Sequence, residues 1–425
     1  MSFRLSEPTL IEGSYEWRVF LLGASILFLL SLGWRYFEYR QFKSFKKIFV
    51  EADVLLQYTK EKNGRKYEVL KLQSEDGLAF FTTSREPIKD LTGRRVRLLL
   101  FPKRVSFYDY LKTPYIPSAI VRVEHERSYR MALFEKIKAQ HSHPFMEQLY
   151  GALFLALPIS KELRERVALL GVSHLLALSG FHLGLLWFLI YGALSLLYVP
   201  LQRRFFPWRH RVLDLGVVTL LLLGAYLLFT GMPPSLLRAY AMLLVGWLAL
   251  LFGLELLSFS FLAFCVVLLI ALFPELLFSI GFWFSVSGVF FIYQFLQLSE
   301  GWPKWSRFLL INIWLYLMML PIVHSIFGIF SLYQLLSIPL TILFSVFYPV
   351  SMLLHILGYG YFADDPLLSL LHIPPASSKA EVFAPLWLLA LFVGLGIAAV
   401  KSRIALYLQA ALGLSFFLFL VKEVA

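Results

Sequence analysis

Residues 174–182 read HLLALSGFH, which sets two histidines, a serine and a glycine inside an otherwise apolar run. A polar or ionisable side chain at membrane depth loses its hydration, and only a partner or a water-filled cavity replaces it, so such residues mark sites or pathways. His174 and His182 are eight positions apart, not the four that bring two ligands onto one helix face, and this spacing disfavours a metal pair. Ser179 would need a base, an orienting acid and a strand-turn-helix elbow to act as a hydrolytic nucleophile, and no such set is present. Two roles remain for His174, Ser179, Gly180 and His182: side chains that satisfy broken backbone, or the lining of a polar pathway. The roles are compatible.

A second group lies at Pro233-Pro234-Ser235, a sequence suited to opening a helix because proline is preset for the first turn. Arg238 then falls one turn inside, where the helix dipole disfavours a cation. Free N–H groups, Ser235 and Arg238 together suit a phosphate. An arginine reaching outward to the membrane interface is the alternative reading. Gln294, Asn312, His324, Gln334 and His355 are further polar residues in apolar runs, read as helix–helix hydrogen bonds.

These residues need a membrane around them, and the composition supplies one. Hydrophobic residues make up 59% of the chain and charged residues 16%, against about 25% charged in soluble domains. The single cysteine, Cys265, excludes an intrachain disulfide and sits in an apolar run. Val19–Leu32 is followed by Trp34, Arg35 and Tyr36 with no small-residue cleavage site, so it reads as a retained first helix. From residue 149 onward, apolar runs place helices near 168–199, 212–230, 235–252, 256–273, 277–298, 307–327, 331–357, 383–400 and 403–421, which makes about ten spans with the first. The run 168–199 would measure about 48 Å as one helix, against a hydrocarbon core of about 30 Å. A break is therefore expected at Ser179-Gly180, where glycine costs roughly 1 kcal/mol and serine bonds to its own backbone.

The charge is concentrated elsewhere. Of a net +12, an excess of nine falls between Arg40 and Arg130. Within that insert, Phe49–Tyr58, Tyr67–Leu72, Leu78–Thr83, Arg95–Leu100 and Ala119–Glu124 have strand character, with turns at Lys62-Asn63-Gly64 and Asp76-Gly77. Five strands in about 80 residues suit an OB-like barrel, whose open face often carries nucleic acid. Arg65, Lys66, Lys71, Arg94, Arg95 and Arg97 would give that face a positive field. The alternative is a solvated barrel kept near anionic lipid. The expected organisation is an N-terminal segment with the first helix (1–47), a basic OB-like domain (48–127) and a polytopic membrane domain (128–425).

A family resemblance follows from residues 150–190, which contain LPISKELRERVALLGVSHLLALSGFH. This stretch resembles the competence signature of the ComEC family, the inner-membrane DNA-uptake channels of naturally transformable bacteria. LLFTGMPPSLLRAYAMLL (227–244), FPELLFSIGFWFSVSGVFFI (273–292), YLMMLPIVHSIFGIFSLYQLLSIPLTIL (316–343) and, in the insert, SFYDYLKTPYIPSAI (106–120) are similar to further family blocks in order and spacing, so that the resemblance covers most of 45–360. It departs at Phe284-Ser285-Val286-Ser287, where a glutamine is usual.

The resemblance implies a channel for single-stranded DNA with no cofactor, partnered by the lipid bilayer, a periplasmic DNA receptor and cytoplasmic ATPase or DNA-protecting proteins. Many members carry a metallo-β-lactamase-like nuclease domain; HxHxDH does not occur here, which implies a short form relying on a separate nuclease. His141-Ser142-His143 is followed by Pro144-Phe145 and has no aspartate to continue a metal site. No GxxxxGK[ST] motif occurs, so an internal ATP motor is not expected.

Orientation follows from the basic loops: Arg203, Arg204, Arg209 and Arg211 mark a cytoplasmic connection, with Lys304 and Arg307 on the same side. The insert is then extracytoplasmic if 168–199 crosses once and cytoplasmic if it is a re-entrant hairpin. Arg35, Arg40, Lys43, Lys46 and Lys47 run against the external placement, which the resemblance favours. The rival function is a secondary transporter of a smaller polar or anionic solute, and a membrane hydrolase is disfavoured for want of a catalytic set.

Overall fold

A computed structural model of the protein describes residues 13–62, 65–74, 77–84, 88–89, 91–124, 129–251, 258–373 and 379–424. Helix α1, Ser14–Ser44, carries the first apolar run. It leaves Leu22 66% and Leu30 67% exposed, a loss that water would penalise along the whole helix and lipid does not.

Five strands follow: β1 Ile48–Lys62, β2 Arg65–Ser74, β3 Ala79–Ser84, β4 Arg95–Leu100 and β5 Ser118–Val123, with the one-turn helix α2, Phe107–Tyr110, before the last. They form one antiparallel sheet in the order β3-β2-β1-β4-β5. Its outer strands approach through a parallel bridge between Phe81 and Tyr115, which curls the sheet toward closure. Side chains alternate across a strand, so Ala52, Val54, Leu70, Leu72, Phe80, Val96, Leu98 and Leu100 gather in one core while their neighbours face outward. A register shift between Val54 and Leu56 bends the long β1. Gly77 has φ +85°, as a tight turn at that point requires. Asn63-Gly64 and Asp76 of the expected turns lie outside the described residues.

Next come four helices unsuited to crossing a membrane: α3 Tyr129–Lys138, α4 Pro144–Leu155, α5 Lys161–Leu169 and α6 Ser173–Leu176. The apolar helices then run α7 Gly180–Phe205, α8 Arg211–Phe229, α9 Pro234–Leu251, α10 Phe259–Leu272, α11 Ile280–Leu298, α12 Lys304–His324 and α13 Ser337–Ile356. After the amphipathic α14, Asp364–His372, come α15 Leu386–Ala399 and α16 Arg403–Val424. A short ladder of β6, Ile329–Phe330, with β7, Ala380–Glu381, ties the approach to α13 to that of α15. Among the described residues seven helices are long and apolar enough to span a bilayer, and three shorter ones, in α9, α10 and α15, complete the ten apolar segments expected from hydropathy.

The expected helix over 168–199 differs in kind. The break is at the anticipated place, with Ser179 extended and α7 starting at Gly180, but the upstream part is not half of a spanning helix. Gly171 takes φ +69° just past α5, a left-handed residue that stops the helix, and α6 adds a single turn before the chain straightens at Ala177. Charged KELRER in α5 explains why this segment lies outside the apolar set.

The barrel is seated on one end of the bundle. Gln73 on β2 donates to the Gly231 carbonyl (2.6 Å) in the α8–α9 turn. Arg35 pairs with Glu275 (2.9 Å) and Tyr108 meets Phe278 edge-on in the α10–α11 turn. The basic connections that hold Arg203, Arg204 and Arg209, and Lys304, lie one helix length away at the far ends of α8 and α11.

Candidate functional site

At the start of α7, His182 is fully buried. Its Nδ1 accepts from the Ser179 backbone N–H (3.3 Å) and lies 3.1 Å from Ser179 Oγ, so the ring satisfies backbone freed by the break. Nε2 has no partner among the described residues, and Phe344 and Tyr348 pack edge-on against the ring. A serine thus stands beside a histidine that no acid among the described residues orients, which is a helix cap and not the arrangement that activates a nucleophile. His174 is different. It is exposed, with Nδ1 at 3.1 Å from the Gly171 carbonyl and Nε2 at 3.3 Å from Thr341 Oγ1 on α13. Gly180 is exposed too, and a Cβ there would meet only Ala239 Cβ on α9, at 3.7 Å.

Arg238 lies one turn into α9 and is only 5% exposed, so it does not reach outward to an interface. Its Nη1 donates to Ser279 Oγ (3.4 Å), the N-cap of α11, and its Nε has no partner among the described residues. Gly281 allows the close approach, since a Cβ there would stand 3.1 Å from Nη2. No carboxylate pairs with Arg238 among the described residues. Ser235 is half-buried in the first turn of the same helix.

The barrel's basic residues are spread along its outer surface. The Arg65 side chain lies outside the described residues, and Lys66 is exposed near the same hairpin end. Arg94 is exposed, Arg95 pairs with Asp53 (3.1 Å), and Arg97 stacks over Phe49 opposite Glu51. Among the five whose side chains are described, Lys71 alone lies against the helical domain. Burial, then Arg164 of α5 and Arg130 of α3, hold its ammonium below the usual lysine range. Arg130 is pushed down to about 10 by burial, against the pull of Asp53. It donates from Nε to Leu155 O (2.9 Å) and from Nη2 to Ala156 O (3.1 Å), closing the C-terminus of α4, and its Nη1 reaches Gln73 of the barrel (3.4 Å). Arg130 and Arg164 were not legible as partners of Lys71, because three elements distant in sequence bring them together.

A second grouping absent from the sequence reading is buried at His141, which meets Asp364 (2.9 Å) and His355 (3.0 Å) and stacks on Tyr150. His141 therefore does have an acid, supplied by α14 and not by its own loop. Among the described residues no three or more His, Cys, Asp or Glu gather to hold a metal. Of the scattered polar residues, Gln294 bonds to Gln409 (3.1 Å) and Gly396 (3.2 Å), Gln334 to Ala168 (3.1 Å), and His324 to Val382 (2.8 Å), whereas Asn312 turns back to Phe308 of its own helix.

A helical bundle with apolar outer faces, a five-stranded antiparallel sheet on one end and polar side chains buried among helix ends defines a multi-pass membrane protein. Residues 158–423 match the Competence protein family, and the chain belongs to that family, in agreement with the resemblance to ComEC. The matched region begins beyond the barrel and takes in α15 and α16, which the resemblance did not reach. An uncharacterized protein of Aquifex aeolicus (strain VF5) is 29% identical over 253 residues, covering 59% of this chain and 54% of the relative, so the chain spans about half the length of that curated relative. No solved structure matches.

Proposed function

We propose that this chain forms the transmembrane conduit through which single-stranded DNA enters the cytoplasm during competence. The observation that carries the reading is the cationic junction of Lys71, Arg130 and Arg164 at the contact of the sheet with the helices, where Arg130 also reaches Gln73 (3.4 Å). Like charges held together cost energy unless an anion joins them, and a polyanion supplies a phosphate at every nucleotide. The barrel, curled but not fully closed, offers an outer face with Lys71 over Phe81 and Arg97 over Phe49, a pairing of cation and ring that suits bases and phosphates without sequence preference. Exposed His174 and Gly180 and the neighbouring Ser179 serve in this reading as pathway lining, with His182 holding the backbone behind them.

A barrel on the outer face of the inner membrane is supported by the opposite end of the bundle, where Arg203, Arg204, Arg209, Arg211, Lys304 and Arg307 fit the positive-inside rule. The exception raised by the basic residues at the end of α1 and just beyond it is eased at Arg35, which is neutralised by Glu38 and Glu275. A periplasmic receptor would hand DNA to the barrel, a separate nuclease would remove the second strand, and cytoplasmic proteins would draw in and protect the first. Gene deletion tests the reading when transformation is measured apart from growth on individual anionic solutes. Loss of transformation with growth intact is expected; lost growth with normal transformation would favour a solute transporter instead.

A further inference from the structure

Three helices begin at one place. Gly180, the first residue of α7, faces Ala239 of α9; Arg238, the neighbour of that alanine, lies one turn from the start of α9; and its guanidinium rests against Ser279 and Gly281 in the first turn of α11. Each helix N-terminus carries about half a positive charge and leaves N–H groups without helical partners. A guanidinium is effectively always protonated, so the cation cannot escape the field by losing its proton. Arg238 is nonetheless buried there, with Nε unpartnered among the described residues and only a neutral hydroxyl on Nη1. The acid that precedes α11, Glu275, pairs through Oε1 with Arg35 (2.9 Å) and forms no ion pair with Arg238. Nothing in the described protein neutralises this point.

We propose that the N-termini of α7, α9 and α11 form, around Arg238, a binding station for a phosphate group, occupied in turn by the phosphodiesters of the passing strand. This deepens the conduit reading and rests on it for the identity of the strand. The planar fork of arginine matches two phosphate oxygens, and helix N–H groups take others. Gly180 and Gly281 at the edges of the station are both exposed, and a side chain at position 281 would meet the guanidinium. Ser235, in the same first turn as Arg238, adds a hydroxyl within reach of the same region. The arrangement holds one phosphate at a time, which suits stepwise passage.

The test uses the full-length protein in lipid nanodiscs, titrated with inorganic pyrophosphate against chloride at matched ionic strength and followed by calorimetry. Saturable pyrophosphate binding is expected in the unmodified protein, with affinity reduced at least tenfold in Arg238→Gln and in Gly281→Leu and partly kept in Arg238→Lys. Gly281→Leu guards against misfolding, because position 281 is exposed and leucine favours a helix more than glycine does. Absence of saturable binding by the unmodified protein, or unchanged affinity in both Arg238→Gln and Gly281→Leu, would overturn the proposal. A thymidine oligonucleotide should displace the bound pyrophosphate. If it does not, while Arg238 still governs binding of pyrophosphate, the strand assignment falls and the conduit reading of the whole chain is judged separately by the transformation assay.

Discussion

The Nε2 atoms of His141 and His355 stand 3.0 Å apart although 214 residues separate them. His355 Nδ1 is 2.7 Å from the Ser351 carbonyl and His141 Nδ1 is 2.9 Å from an Asp364 oxygen. The Ser351 carbonyl can only accept, so His355 Nδ1 donates to it, and the two rings join Asp364 of α14 to α13 through one chain of hydrogen bonds. Asp364→Asn weakens the acceptor at the end of that chain and should lower stability by about 1 kcal/mol, the net scale of one hydrogen bond. Thermal unfolding in nanodiscs measures it, with exposed Asp365→Asn as a control that should shift little. Equal effects of the two substitutions would show that the buried chain of contacts is not what holds α14 to α13.

Arg238 makes the opposite forecast. Removing a buried cation that no carboxylate compensates should leave the protein as stable or more so, by about 1–4 kcal/mol when an apolar side chain replaces it. Arg238→Met is therefore expected to raise the unfolding temperature while transformation falls. A destabilised variant would mean that the arginine is held for structure.

Lys71 permits a pH test with a definite sign. Its folded-state value is depressed by burial and by Arg164 and Arg130, below the ordinary 10.5. Between the folded and unfolded values the unfolded chain binds more protons, so stability rises with pH through that window, and at neutral pH the charged lysine costs stability. Lys71→Met should thus be more stable than the parent near pH 7, with the gain shrinking as pH climbs toward the ordinary lysine value. A gain that stays constant from pH 7 to 10.5 would contradict this account.

Binding of a single-stranded oligonucleotide to the intact protein should weaken steeply with salt, through release of counterions. Arg164→Glu is expected to lessen the slope of log affinity against log salt by about 0.7 or more, the contribution of one phosphate contact on a single strand. An unaltered slope would remove Arg164 from the nucleic-acid surface.

Cysteine substitutions separate lining from core at the α7 break. In a background with Cys265 replaced, a cysteine at position 174 should react with a water-soluble thiol reagent, because His174 is exposed, and one at 182 should not, because His182 is fully buried. Gly180→Leu should block entry of DNA without releasing it from the outer face. Reaction at 182 with none at 174 would reverse the assignment.

Ten apolar helices, five strands and the break at Ser179-Gly180 were legible in the sequence because each depends on neighbours in the chain: run length against bilayer thickness, alternation of side chains, and the cost of glycine in a helix. Arg238 was legible as a cation in an unfavourable place for the same local reason. That Ser279 and Gly281 deepen the conflict was decided by packing, since α11 begins beside α9 only in three dimensions. Residues 168–179 misled because their composition is apolar while Gly171 and the charged α5 turn the chain aside, a matter of backbone conformation that hydropathy does not report. His141 with His355 and Asp364, and Lys71 with Arg130 and Arg164, were decided by tertiary structure alone. A polar side chain takes whatever partner the fold brings within about 3 Å, and that choice is made by the packing of whole elements, long after the local pattern has set what each element is.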